Sequence, residues 1–161
     1  MPLLPALMLA LVPAAPLHPV SIELIADAHF NADVNVDRGV IVYGNRDVNG
    51  AWATLLADAP IQVNRVAVLA GDRTLRGDDL AAVVVRPRPG SDVASVAAIA
   101  GTGYAGQRLT ATLPMFLAGV GWPDWMVLRA DALQSGEEAI EGAGFFGWDW
   151  SLDPQQSRWR D

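Results

Sequence analysis

The chain of 161 residues has no cysteine, no lysine and only two histidines, His18 and His29. Without cysteine there are no disulfides, no thiolate nucleophile and no thiolate metal site, and the redox compartment stays open. All 11 basic residues are arginine, which together with abundant Ala, Val and Gly reflects a GC-rich genome rather than a function. Charged residues make up only 18%, and the formal net charge is −7. An acidic chain without a basic patch is not expected to bind nucleic acid or an anionic membrane surface. No internal repeat and no dividing linker is visible.

Apolar residues make up 52%, enough for one sizeable core and too many for a disordered chain. The first sixteen residues, MPLLPALMLALVPAAP, have the layout of a secretory signal. Leu7–Val12 would be its core, with cleavage near Ala14 or Ala15. The usual basic residue before that core is missing. The run is shorter than the roughly 20 apolar residues of a membrane span. The expected organisation is a signal peptide over 1–16 and a single domain over 17–161, secreted or periplasmic, with no stable membrane span.

Short apolar runs read as strands at Ser21–Ala26, Gly39–Tyr43, Ile61–Leu69, Leu80–Val85, Val93–Ala100 and Trp125–Leu128. A turn at Gly71-Asp72 folds Thr74–Arg76 back as a hairpin. Helices are expected over Val48–Asp58, Gln107–Ala118 and Asp131–Glu141. Arg86-Pro87-Arg88-Pro89-Gly90 reads as neither helix nor central strand, and the aromatic tail Gly144–Trp150 as irregular structure. Strands alternating with helices predict a three-layer α/β domain with a largely parallel, Rossmann-like or flavodoxin-like sheet and an added β-hairpin.

The most informative stretch is Gly101-Thr102-Gly103-Tyr104-Ala105-Gly106, between an expected strand and an expected helix. Gly-x-Gly-x-x-Gly in that order permits a tight turn, a close ligand approach and close helix–strand packing. Free N–H groups at the helix start would then favour a phosphate. A dinucleotide site also needs an acid about 20 residues on. Asp131 follows Gly106 by 25 residues and Asp124 by 18, and neither fits well. A tight strand-to-helix turn without a ligand explains the glycines more economically.

In a parallel sheet the loop Asn45–Asn49 would emerge beside this turn. Asn45, Asp47 and Asn49 are then ligand-binding candidates, or simple helix caps. Arg88 and Ser91 complete the expected binding edge, where an arginine could grip a carboxylate or phosphate. Gly101, Thr102, Gly103 and Gly106 are its remaining members. Ser91 lacks a nucleophile elbow, and a serine triad within this chain is not expected. Asp27, His29, Asp33 and Asp37 do not reproduce a calcium loop, so no metal and no cofactor is expected. Glu137, Glu138 and Glu141 read as an exposed acidic helix. Trp122, Trp125, Trp148, Trp150 and Trp159 could form a sugar-stacking platform or close the edge of a core.

The runs IELIADAHF, VIVYGNRDVNGAW, GDDLAAVVVRPRPGSD, AGTGYAGQRLT and LPMFLAGVGWPDWMVL follow one another between Ile22 and Leu128. In order and density this stretch resembles the C-terminal part of large prolyl oligopeptidase-type proteins of planctomycete-like bacteria. The resemblance implies secretion and association with a peptide or ester hydrolase. That family's catalytic triad lies in a separate α/β-hydrolase domain, and none of its motifs falls on a position here. The expected role is a non-catalytic accessory or ligand-binding domain, partnered with a larger α/β-hydrolase domain or subunit. The alternative is a small nucleotide- or phosphate-binding enzyme built on the Gly101–Gly106 turn.

Overall fold

The computed structural model describes residues 21–113 and 121–160. The expected signal segment and the end of the Gln107–Ala118 helix lie outside the described residues. Nine strands dominate: β1 (Val40–Tyr43), β2 (Ile61–Val63), β3 (Ala67–Ala70), β4 (Arg73–Arg76), β5 (Leu80–Pro87), β6 (Ser95–Gly101), β7 (Trp125–Arg129), β8 (Ile140–Phe146) and β9 (Leu152–Trp159). The α-helices are short: α1 (Trp52–Leu55), α2 (Gly103–Thr110) and α3 (Ala132–Ser135).

Six strands form one mixed sheet in the order β1-β6-β5-β7-β8-β9, and β2-β3-β4 form a second sheet. Only β1 and β6 pair in parallel; every other neighbour is antiparallel. The largely parallel, Rossmann-like α/β expectation is therefore wrong. A parallel sheet needs crossovers of a dozen or more residues, usually helical. Here β5 turns back on β6 from Pro87 to Ser95, and the longest α-helix among the described residues has eight residues.

The central strand β5 explains the misleading signal. Its run Leu80-Ala81-Ala82-Val83-Val84 is buried on both sides and so does not alternate. One face of the large sheet, carrying Val42, Val84, Ala98, Trp125 and Val127, packs on Ile61, Val63 and Val68 of the small sheet and on Trp52, Leu55 and Leu56 around α1. On the other face Leu109 of α2 meets Ala81 and Leu128. A β-strand covered on both faces reads as one apolar run whether its neighbours are parallel or antiparallel. Fully burying each valine contributes roughly 1.5–3 kcal/mol.

Other elements also depart from expectation. Ser21–Ala26 joins no strand and is exposed. β5 continues through Arg86 to Pro87, which sits at the strand's last position opposite Ser95. The segment Asp131–Glu141 is α3, then a 3-10 turn over Gly136–Ala139, then the start of β8. The tail is a β-hairpin in which β8 pairs with β9. Gly142 leaves the space that the Trp159 ring occupies. Among the described residues no helix is long and apolar enough to cross a membrane.

Candidate functional site

The chain does place the glycine motif between a strand and a helix: β6 ends at Gly101 and α2 begins at Gly103. Four of its six N–H groups, however, are already engaged. Gly101 N donates to Gln107 Oε1 at 3.0 Å. Thr102 N donates to the Leu80 carbonyl at 2.8 Å, Gly103 N to Arg65 at 3.0 Å and Gly106 N to Asp78 at 3.4 Å. The Thr102 hydroxyl is fully buried and accepts from Leu80 N at 3.0 Å.

A Cβ on Gly103 would strike the Asp78 backbone, one on Gly106 the Leu80 backbone, and one on Gly101 the backbone of Gly106 and Gln107. The close approach that these glycines allow is therefore backbone to backbone. The backbone at the entry of β5 fills the space directly against Gly103 and Gly106. Asp124, the nearer of the two candidate ribose acids, accepts from Phe146 N at the opposite end of the sheet.

Asn45–Asn49 does lie against the glycine turn, as the parallel β1–β6 pair requires. Asn45 is 5% exposed and donates to the Gly101 carbonyl at 2.8 Å. Its Oδ1 accepts from Asp47 N at 3.1 Å. Asp47 Oδ2 accepts from Arg65 N, and Asn49 bridges the Tyr43 carbonyl and Ala51 N. These side chains fasten loops to one another.

Arg88 and Ser91 do not join them. Because β5 runs antiparallel to β6, its C-terminal end emerges at the far end of the sheet. The single binding edge expected from the sequence is not formed, since strand direction separates its parts. Arg88 is 2% exposed. Its guanidinium donates to the carbonyls of Asn35 and Arg38 (both 2.7 Å) and to those of Ala32 (2.7 Å) and Val34 (3.4 Å). Ser91 Oγ donates to Asp37 Oδ1 at 2.7 Å and accepts from Ala94 N at 3.0 Å. Its proton lies on a carboxylate contact rather than an imidazole.

Asp27 accepts from Gly50 N at 2.7 Å. Among the described residues no three His, Asp or Glu side chains converge as metal ligands. Glu141 hydrogen-bonds Arg129 at 2.5 Å, which pushes that guanidinium further up its already high range.

Four of the six tryptophans fall into two pairs. Trp125 and Trp159 close the core edge, with ring centroids 4.7 Å apart and the Arg73 guanidinium 5.0 Å from the Trp159 ring. Trp148 and Trp150 instead stand on the turn between β8 and β9. Trp148 is completely exposed at 105% of its reference area, and Trp150 is 39% exposed.

The turn is well fastened. Gly147 N donates to the Ser151 carbonyl and Trp150 N to the Gly147 carbonyl, both at 2.9 Å. Ser151 donates to Asp149 through its N–H at 3.0 Å and its hydroxyl at 2.7 Å. Trp150 adopts φ 62°, a left-handed conformation that costs a bulky residue about 1–2 kcal/mol. Its ring tilts onto Phe146 at 6.3 Å. Beneath the turn lies a concavity of about 470 Å³ lined by Asp124, Phe145, Trp148, Trp150, Asp153 and Gln156. Reading the tail as irregular missed this site. Its signal was the sequence Gly147-Trp148-Asp149-Trp150-Ser151, where an Asp two residues before a Ser marks a side-chain-stabilised turn.

No family model, no curated protein and no solved structure matches this chain.

Proposed function

We propose that this chain is a non-catalytic binding module accompanying a secreted or periplasmic prolyl oligopeptidase-type serine hydrolase. The observation that carries the binding role is the β8–β9 turn, which holds Trp148 fully exposed on a fastened backbone. A large aromatic ring left in water stabilises nothing in the isolated domain, whereas covering it on contact supplies affinity. The turn's backbone is already ordered, so on contact the Trp148 side chain alone has to be immobilised. The hydrolase context rests on the resemblance carried by the runs between Ile22 and Leu128. The engagement of Ser91 with Asp37 supports assigning hydrolysis to another domain.

Two assays test the reading. The purified chain is expected to leave Z-Gly-Pro-p-nitroanilide and p-nitrophenyl acetate uncleaved. Turnover that disappears in Ser91→Ala would overturn it. Titration calorimetry against the prolyl oligopeptidase-type catalytic domain of the same genome is expected to show one-to-one association. No association and no effect on that domain's peptide hydrolysis would remove the partnership.

A further inference from the structure

We infer that the cleft beneath Trp148 is a subsite for a neutral polysaccharide, with the pyranose ring laid on the exposed indole. This inference rests on the binding-module reading and names the ligand class of that same site.

Trp148 offers an open, flat apolar ring on a turn whose hydrogen bonds fix the backbone that carries it. A pyranose presents a matching flat face of C–H bonds, and its rim carries hydroxyls that both donate and accept. The foot of the cleft supplies their partners. Asp124 spends Oδ2 on Phe146 N, and Asp153 spends Oδ1 on Gln155 N. Among the described residues no hydrogen bond engages the second oxygen of either carboxylate, nor the side-chain amide of Gln156. Two carboxylate acceptors beside an amide that donates and accepts are suited to a hydroxyl-rich, uncharged ligand.

The same chemistry disfavours other occupants. An anion would meet two aspartates, in a chain of net charge −7. An apolar protein surface would have to cover those carboxylates without pairing them. A cage for a quaternary ammonium needs several rings around one point, but Trp150 tilts onto Phe146. An arginine needs only one ring, and titration with a basic peptide distinguishes it from a sugar. An extended peptide zipping onto the edge strand β9 would meet Pro154, which has no N–H to give.

The test is calorimetric titration of the full chain with soluble β-1,4-linked oligomers of glucose, xylose, mannose and N-acetylglucosamine, and with an arginine-rich peptide. At least one glycan is expected to bind with Kd near about 0.1 mM. Trp148→Ala should weaken that binding by about tenfold or more, and Gln156→Ala by less. Both side chains are exposed, so both variants should keep the wild-type melting temperature, which confirms that they fold.

Three results would overturn the inference. No glycan binds at millimolar concentration, or glycan binding survives Trp148→Ala unchanged, or only the basic peptide binds. Association with the catalytic domain is measured separately, so its persistence without glycan binding removes this inference and leaves the module reading standing.

Discussion

Asn45 Nδ2 donates to the Gly101 carbonyl at 2.8 Å, tying the loop after β1 to the turn after β6. Both groups are buried. Asn45→Ala removes the donor and strands a buried carbonyl, at a cost of about 1–3 kcal/mol. Asn45→Asp should cost at least as much, because a carboxylate cannot donate to that oxygen. Urea denaturation of the three proteins decides it; a stable Asn45→Asp variant would show that the bond contributes little.

Gly106 and Gly90 separate lack of space from backbone strain. A Cβ on Gly106 strikes the Leu80 backbone, while one on Gly90 meets nothing within 4 Å. Gly106→Ala is expected to cost more than about 3 kcal/mol, since two backbones must part. Gly90 has φ 80°, so Gly90→Ala should cost only about 1–2 kcal/mol through the left-handed conformation. Equal melting temperatures for the two variants would contradict this packing account of the glycine motif.

Arg88 holds four carbonyls of the segment Ala32–Arg38. Hydrogen bonds from a charged donor contribute about 1.5–3 kcal/mol each when net, and they are not additive here. Arg88→Ala should lower stability by more than about 3 kcal/mol through the carbonyls left unpaired. Arg88→Lys should not restore it, because an ammonium cannot span the planar fork. Hydrogen exchange is expected to localise the loss to residues 32–38 before the rest of the sheet responds.

The β8–β9 turn should respond to acid. The Ser151 hydroxyl and then its N–H donate to Asp149 and hold its carboxyl below the ordinary carboxylate range. Asp149 therefore binds its proton less tightly in the folded turn than in the unfolded chain. Its stabilising effect is complete above the ordinary Asp value of about 3.9 and is lost as pH falls through the lower folded value. Carboxyl NMR should place the Asp149 midpoint below that of a free Asp, and Ser151→Ala should move it upward. A midpoint at or above the ordinary value would mean that the turn is not held this way.

Local elements were more legible than their arrangement. The runs around Val40–Tyr43, Leu80–Val85 and Trp125–Leu128 mark real strands, because β-branched and apolar residues bounded by Gly, Pro or Asp carry that signal directly. Strand direction carries no such local signal. Val83 and Val84 would be buried between parallel or antiparallel neighbours alike, so the sheet order could not be read from them. The glycine motif was found where a strand meets a helix, but its occupant is the backbone of Asp78–Leu80, which is remote from any spacing rule. The aromatic turn was hidden for a different reason. Gly142, Gly144 and Pro154 depress strand propensity in β8 and β9, yet each has its place beside the large rings or on the sheet edge.

The loop from Asn31 to Asp37 alternates Asn and Asp in a way that invites a search for calcium. Its carbonyls instead surround the Arg88 guanidinium. The positive charge at the loop's centre is thus covalently attached to the chain that folds around it. An ion that is part of the polypeptide has no dissociation constant: it cannot be chelated, diluted or replaced by another cation. The charge that gathers these carbonyls is therefore supplied by the same chain that provides them.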